Sequence, residues 1–531
     1  MTAKFHFLSV NSSYSHSSLA LPTLHCAAKN VPGILWSQTE CTILSDPAEV
    51  AVKIAENKPD ILGCTLYLFN REHALNILSR VHVLCPETVI VLGGPECSHD
   101  SADELLEKHP FIHTVFIGEA EGIFSEFLAA APENRKRGIL PTDRKAQYDN
   151  WDKLHVVDDV FFRTDKAFVQ YETSRGCPIG CKYCTSTNVQ LRLKDIAVVE
   201  EEISILQKRG VKEIRLLDRT FNFPQWRGAA LLKLFREKFS GIEFHLEIHP
   251  QFLNEALRNE LKIAPNLHIE AGIQSLDQNV QCAIGRNSNP AEVLNGIKFL
   301  TSCQNFETHV DLISGLPQQT LNSLLEDIVN LIKVNPSEIQ LETLKILNGT
   351  PLKSSAKEFG IVYAPSPPYD VMQNKTFSAA DIIYTRKISR IIDLFYNHKA
   401  LHDIVTALNF NNGDDLKKFI DFMLERNISI DTIADLKKRV ILLTDYVRRY
   451  PSSAAEFAIA RVWLAQGYPM HDIPFGKISK LAYPATDAPS GDAAQILSHP
   501  ETKLWKLVLN DHSLNFAVNR HFKLNGAALF F

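Results

Sequence analysis

The chain has 531 residues, room for about two to four domains, and its 45% hydrophobic and 22% charged residues describe an ordinary folded protein. A formal net charge of -5 supplies no broad basic field, so composition gives nucleic acid no support as a principal partner. The N-terminus lacks the apolar core of a signal peptide and no apolar run is long enough to span a bilayer, which predicts a cytoplasmic protein with no membrane partner.

Residues 5–10, 60–66, 88–92 and 114–117 read as strands, with helical patterns over 49–57 and 71–84 between them. Continuously apolar strands separated by helices predict a doubly wound, Rossmann-like parallel sheet over residues 1–145. In such sheets ligands bind beyond the carboxyl ends of the strands. The segments there are Asn11-Ser-Ser-Tyr-Ser-His16, Tyr67-Leu-Phe-Asn70, Gly93-Gly-Pro-Glu96 and Gly118-Glu-Ala-Glu121. Taken singly, each reads as turn and capping chemistry.

Residues 151–165 form a connector, and 167–173 a strand leading into Cys177-Pro-Ile-Gly-Cys181-Lys-Tyr-Cys184. This CxxxCxxC loop offers three thiolates. A structural zinc site needs four ligands, no Cys or His lies between 185 and 196, and so one metal coordination position stays open for chemistry. Further strands are predicted at 213–217, 243–248, 267–271, 309–313 and 338–343, with helices over 198–208 and 321–334. Six βα units predict a partial (β/α)6 TIM-type barrel over 146–363 with its site at the carboxyl ends of the strands. Asp218, Glu247, Gln274 and Asp311 recur at those ends, where an apolar barrel would avoid them, and point to a polar ligand. Cys282 and Cys303 sit in helical patterns and read as small core residues.

Ala364-Pro-Ser-Pro-Pro368 reads as a stiff linker, and helical periodicity from 383 to about 463 predicts a mainly helical domain over 364–531. Its tail from Tyr468 is irregular, with a strand-like stretch at 504–509 and an apolar end at 524–531.

The cysteine spacing, with Tyr183 before the third thiol, resembles the radical S-adenosylmethionine (SAM) enzymes. That resemblance implies a [4Fe-4S] cluster on Cys177, Cys181 and Cys184, with SAM on the fourth iron. Glu247-Ile-His-Pro250, Gly272-Ile-Gln-Ser275, Ile284-Gly-Arg286 and Asp311-Leu-Ile-Ser-Gly-Leu-Pro317 resemble the strands of the subgroup containing oxygen-independent coproporphyrinogen oxidase and the methylthiotransferases. By that likeness Tyr183, Asp218, Glu247, Gln274, Arg286 and Asp311 line the SAM site. Arg286 suits the methionyl carboxylate. Where the family has a glycine-rich turn for the SAM amino group, this chain has Leu217-Asp-Arg-Thr220, so Asp218 could face substrate instead.

The four N-terminal segments together resemble the cobalamin-binding domain of the B12-dependent radical SAM family. The implied cobalamin residues are Asn11, Ser12, Tyr67, Asn70, Gly93, Gly94, Pro95, Glu96, Gly118 and Glu119. An Asp-x-His-x-x-Gly motif is absent, which implies cobalamin held without a histidine below the cobalt. The C-terminal region resembles an uncharacterised domain that follows the barrel in some of these proteins.

The resemblance implies an enzyme that methylates an unactivated carbon by way of a 5'-deoxyadenosyl radical and methylcobalamin, with a flavodoxin- or ferredoxin-like electron donor. Cyclisation or rearrangement, methylthiolation and a non-catalytic cobalamin or redox sensor are the alternatives. No substrate is legible.

Overall fold

A computed structural model describes residues 2–141, 147–187, 189–426, 435–480, 503–509 and 512–518, with backbone alone at 529–530. Strand β1 (Ala3–Asn11) sends alternate side chains to opposite faces of a sheet, and both faces are apolar. Phe5 and Phe7 pack with Leu21, Phe124 and Phe127 on one side, while Leu8 and Val10 pack with Ile54, Leu78 and Ile90 on the other. With β2 (Ile34–Thr42), β3 (Ile61–Thr65), β4 (Val89–Gly93), β5 (Ile112–Phe116) and β6 (Gly138–Leu140), it forms a parallel sheet of order β2-β1-β3-β4-β5-β6. Helices cover both faces, as the sequence predicts for a doubly wound fold. Strands β2 and β6 were not predicted. β2 is a half-buried edge strand whose apolar start, Ile34 to Trp36, gives way to four polar residues, and His6 of β1 reaches into it to bond Ser37 and Thr39.

The second sheet is built from β7 (Val169–Tyr171), β10 (Glu213–Leu216), β11 (Glu243–Ile248), β12 (Leu267–Gln274), β13 (Glu307–Ser314) and β14 (Glu338–Thr343), in the order β14-β13-β12-β11-β10-β7. Between β7 and β10, the short pair β8 (Ser174–Arg175) and β9 (Arg192–Leu193) clamps the two ends of the cysteine loop together. The helix Ile196–Lys208 begins at Asp195, whose carboxylate accepts from the Ala197 N–H, and Gly210 follows it with φ +83°.

A hairpin, β15 (Val362–Tyr363) and β16 (Val371–Gln373), follows the second sheet. Helices Ala379–Ile391, Gly413–Glu425, Leu436–Arg449 and Ser453–Ala465 come next. The chain does not stay helical to its end. Strands β17 (Lys477–Lys480), β18 (Lys503–Leu509), β19 (His512–Val518) and β20 (Leu529–Phe530) form an antiparallel sheet whose Leu507 and Phe516 bury against Ala460 and Leu464. The strand-like stretch at 504–509 is β18; apart from the backbone of 529–530, the apolar end at 524–531 lies outside the described residues.

The chain divides into two compact units, residues 1–320 with 342–382, and 321–341 with 383–531. The proline-rich stretch 364–368 lies within the first. Of the two cysteines expected in the core, Cys303 is buried, but Cys282 is exposed on its helix. Among the described residues no helix is long and apolar enough to cross a membrane.

Candidate active site

The cysteine loop is held at both ends by backbone contacts that only glycine permits. Gly176 has φ +88°, and a Cβ there would meet the Gln190 carbonyl oxygen at 2.3 Å. Lys182 N–H donates to the Ile284 carbonyl (2.8 Å), and Leu352 N–H donates to the Lys182 carbonyl (2.9 Å), fixing the middle of the loop. Donors face two of the sulfurs, Ser186 N–H on Cys184 Sγ (3.4 Å) and Arg286 Nη1 on Cys181 Sγ (3.8 Å), and the Thr220 hydroxyl, which donates to the Arg219 carbonyl, lies 3.4 Å from Cys177 Sγ. Burial pushes the Cys181 thiol up, and the Arg286 guanidinium pulls it back toward the thiolate that metal ligation needs. Among the described residues no three such ligands close on a single-ion position. The donor set fits an iron–sulfur cluster, which takes its thiolates at separate corners.

The three cysteines open into a cavity of about 180 Å³ whose wall includes Tyr183, Glu247, Gln274, Arg286 and Asp311. Strand register explains the convergence, since Glu247 lies opposite Glu270 and Glu270 opposite His309, while Gly272 lies opposite Asp311. A bulge between Gly272 and Gln274 then turns the end of β12, leaving Gln274 at φ +69°. Such backbone is costly for a side chain other than glycine and persists where surrounding structure enforces it. Gln274 Oε1 and Arg286 Nε are buried there without hydrogen-bond partners. A buried acceptor and a buried guanidinium N–H awaiting partners fit a ligand carrying an ammonium, hydroxyls and a carboxylate, as SAM does.

The carboxylates of this wall are not equivalent. A hydrogen bond from His245 (3.0 Å) holds Glu270 well below the usual range, whereas burial and then the charge of Glu270 push Asp311 up, so that Asp311 carries the proton the two share. Burial also raises Glu247 to about 7, against the pull of Arg219 at 3.6 Å. A carboxyl whose pKa is higher folded than unfolded stabilises the fold below its unfolded value and loses that contribution as pH rises through the folded one. Glu247→Gln is therefore expected to gain stability relative to the wild type as pH rises from about 4.5 to about 7, with urea midpoints at pH 5 and 8 as the measurement; an unchanged difference would contradict the burial.

Asp218 is not brought to this cavity. It is buried, with its oxygens accepting from the N–H and hydroxyl groups of both Thr173 and Ser174, so it ties β10 to the start of the cysteine loop. Its neighbours Arg219 and Thr220 line the cavity instead, together with Glu270 and His249. Sequence reasoning missed these four. Glu270 carried a signal, since it shares the period-two face of β12 with Gly272 and Gln274.

A larger cavity, of about 980 Å³, lies at the carboxyl ends of β4 and β5. Gly94 and Pro95, Gly118 and Glu119, Thr185 and Thr187 of the cysteine loop, and Asn348 and Gly349 all line it. Gly94, at φ +98°, has no room for a side chain, since its Cβ would meet Thr65 Cγ2 at 2.5 Å. The remaining residues expected around a cobalamin do not line this cavity. Asn11 donates to the His16 carbonyl and to Glu40, and the Ser12 hydroxyl bonds His16. Asn70 is buried, accepting from Tyr67 N–H and donating to the Val10 and Thr65 carbonyls, while Tyr67 stacks on Phe69. Gly93 accepts from Leu66 N–H. Glu96 is buried between Arg71 and Tyr369.

A family model described as the radical SAM superfamily matches residues 171–331, from the end of β7 into the helix Leu321–Val334. Residues 171–331 thus carry a radical SAM domain. The resemblance read from the sequence is borne out there, and again at residues 357–450, which match a family described as a protein of unknown function, DUF4080. Over 361 residues the chain is 24% identical to TokK of Streptomyces tokunonensis, a cobalamin-dependent radical SAM methyltransferase, covering 60% of this chain and 52% of that one. It is 28% identical over 253 residues to a tRNA-2-methylthio-N(6)-dimethylallyladenosine synthase of Clostridium tetani, covering 44% and 53%. The chain thus spans about half the length of these curated relatives. Among solved structures, the cobalamin-dependent SAM radical enzyme OxsB, with aqua-cobalamin and SAM bound, shares the fold at a TM-score of 0.58 and 13% identity, over 87% of this chain and 79% of that one. A radical SAM enzyme uses a [4Fe-4S] cluster and SAM, which the cysteine loop and the smaller cavity fit.

Proposed function

We propose that this radical SAM protein is a cobalamin-dependent methyltransferase acting on an unactivated carbon. The observation that carries the reading is that one loop serves two cavities: its cysteines open into the small polar cavity, and its Thr185 and Thr187 face the large one. Cluster and SAM, when bound, supply a radical able to take hydrogen from carbon, and cobalamin supplies a carrier for the methyl group. The protein's part is placement. Arg286 pairs the methionyl carboxylate, Gln274 and Glu247 accept from hydroxyls and the ammonium, and Asp311 keeps its proton and donates. Gly94, Pro95 and Gly118 let backbone approach a large flat ligand in the second cavity. An electron donor of flavodoxin or ferredoxin type and a cytoplasmic setting belong to this reading.

The similarity to methylthiotransferases suggests a second reading, in which the N-terminal cysteines hold another cluster. Their surroundings argue against it. Burial pushes Cys41 up to about 11 and Cys64 and Cys97 higher still, which favours inert thiols over ligating thiolates.

The test is anaerobic incubation of the reconstituted protein with SAM and dithionite, with and without cobalamin. Formation of 5'-deoxyadenosine together with cobalamin-dependent S-adenosylhomocysteine is expected. Formation of 5'-deoxyadenosine with no S-adenosylhomocysteine under either condition would overturn methyl transfer while leaving SAM cleavage intact.

A further inference from the structure

Glu96 closes the Gly93-Gly-Pro-Glu96 segment, yet its side chain turns away from the large cavity that Gly94 and Pro95 line. It is 3% exposed and accepts three hydrogen bonds, from Arg71 Nη1 (3.0 Å), Tyr369 Oη (2.8 Å) and Asn348 Nδ2 (3.2 Å). Two of those donors lie more than 250 positions along the chain, in the segment between β14 and β16. A buried carboxylate is expensive to desolvate, so three convergent donors, one of them a guanidinium, mark a joint that resists opening.

The same loop grips that segment a second time. Asp100 accepts from Gly349 N–H (2.7 Å) and pairs with Lys353 Nζ (2.8 Å), and Lys353 donates to Asn348 Oδ1 (2.5 Å). Gly349, at φ +75°, lies so close to Ser98 that a Cβ would stand 3.0 Å from that residue's own. Tyr369 is aimed inward by a left-handed backbone, φ +58°, that a tyrosine adopts only under constraint. Its carbonyl accepts from Ile346 N–H, so the segment is a strap folded back on itself. Asn348 and Gly349 are at once held by Glu96 and Asp100 and part of the cavity wall.

We propose that residues 348–369 form a strap that walls the cobalamin cavity, and that Glu96 is the positioning residue that pins it, so that release of cobalamin requires this joint to open. The proposal rests on the cobalamin reading above for the identity of the ligand. The strap and its pin rest on the hydrogen bonds alone.

The experiment compares wild type, Tyr369→Phe and Glu96→Gln in two measurements. In apo protein, amide hydrogen exchange is followed at residues 94–98 and 345–349. Tyr369→Phe, which removes one hydroxyl, is expected to accelerate both stretches together. In cobalamin-loaded protein, release is followed by absorbance during a chase with excess unlabelled cobalamin-binding competitor. Release from both variants is expected to be about tenfold or more faster than from wild type, the scale of one hydrogen bond to a charged group. Iron content and the cluster's spectrum should not move, whereas a general loss of fold would change them as well. Unaltered exchange in the apo variant, or a release rate within twofold of wild type, overturns the proposal. Wild-type protein that retains no cobalamin sinks the methyltransferase reading and the ligand named here; exchange in the apo variants still decides the strap.

Discussion

Cys184→Ala is expected to abolish SAM cleavage, and Cys177→Ala and Cys181→Ala to do the same. Each removes one of only three thiolates on the loop, and no other cysteine or histidine lines that cavity close enough in kind to substitute, His249 being buried on Ser288 and held neutral by burial. The loss follows from ligand count. Cys184→Ala also forfeits the Ser186 N–H contact, and Cys181→Ala the Arg286 guanidinium contact, that each sulfur receives. Iron and sulfide per chain after anaerobic reconstitution, and 5'-deoxyadenosine formed with dithionite, are the measurements. Cys282→Ala supplies the control, because Cys282 is exposed and does not line the cluster cavity. A triad variant that keeps full iron and wild-type cleavage would remove the cluster from the account.

Glu202→Ala is expected to cost about 3–5 kcal/mol of stability, the penalty for leaving a buried charge unpaired. Glu202 and Lys194 pair at 2.7 Å with side chains 1% and 4% exposed, and the Tyr171 hydroxyl donates to the same carboxylate. Lys194 follows β9 and its N–H donates to Thr173, so the pair supports the neck of the cysteine loop from beneath. Urea unfolding followed by far-ultraviolet circular dichroism reads the loss. Replacing both partners by methionine removes the orphaned charge, and most of the stability should return. A single variant as stable as the wild type would mean that water reaches Lys194.

Much of the architecture was legible because the buried parallel strands are apolar throughout, as in β3 and β4, or along one face, as in β11. β3, β4, β11 and the helix Leu321–Val334 stand within a residue or two of their predicted bounds. β2 escaped for the converse reason: as an edge strand it is only half-buried over most of its length, and Ser37, Gln38, Thr39 and Glu40 interrupt the apolar run. Of the final sheet only β18 showed as a strand; β17, four residues long with two of them lysine, carries no apolar run. At the site, identity was easier to read than partnership. Glu247, Gln274 and Asp311 advertised themselves as polar residues at strand ends, and Arg286 through its resemblance to the family's motif. Asp218 advertised itself equally, but the groups that occupy it, on Thr173 and Ser174, lie more than forty positions away and carry no sequence signal. Glu96 is the same case at greater range, a residue that looks like a ligand contact and is spent on Arg71, Asn348 and Tyr369. Polar residues that meet a ligand and those that meet each other are distinguished only once the chain is folded.

The central claim is that the large cavity holds the methyl carrier beside the cluster. The most direct measurement is the electron paramagnetic resonance spectrum of protein reconstituted with iron, sulfide and cobalamin under anaerobic conditions and then gel-filtered. Retained cob(II)alamin, without nitrogen superhyperfine splitting and in equal amount to the cluster, is the predicted result. A protein that keeps its cluster while cobalamin washes through would contradict the account and leave a radical SAM enzyme whose reaction must be sought elsewhere.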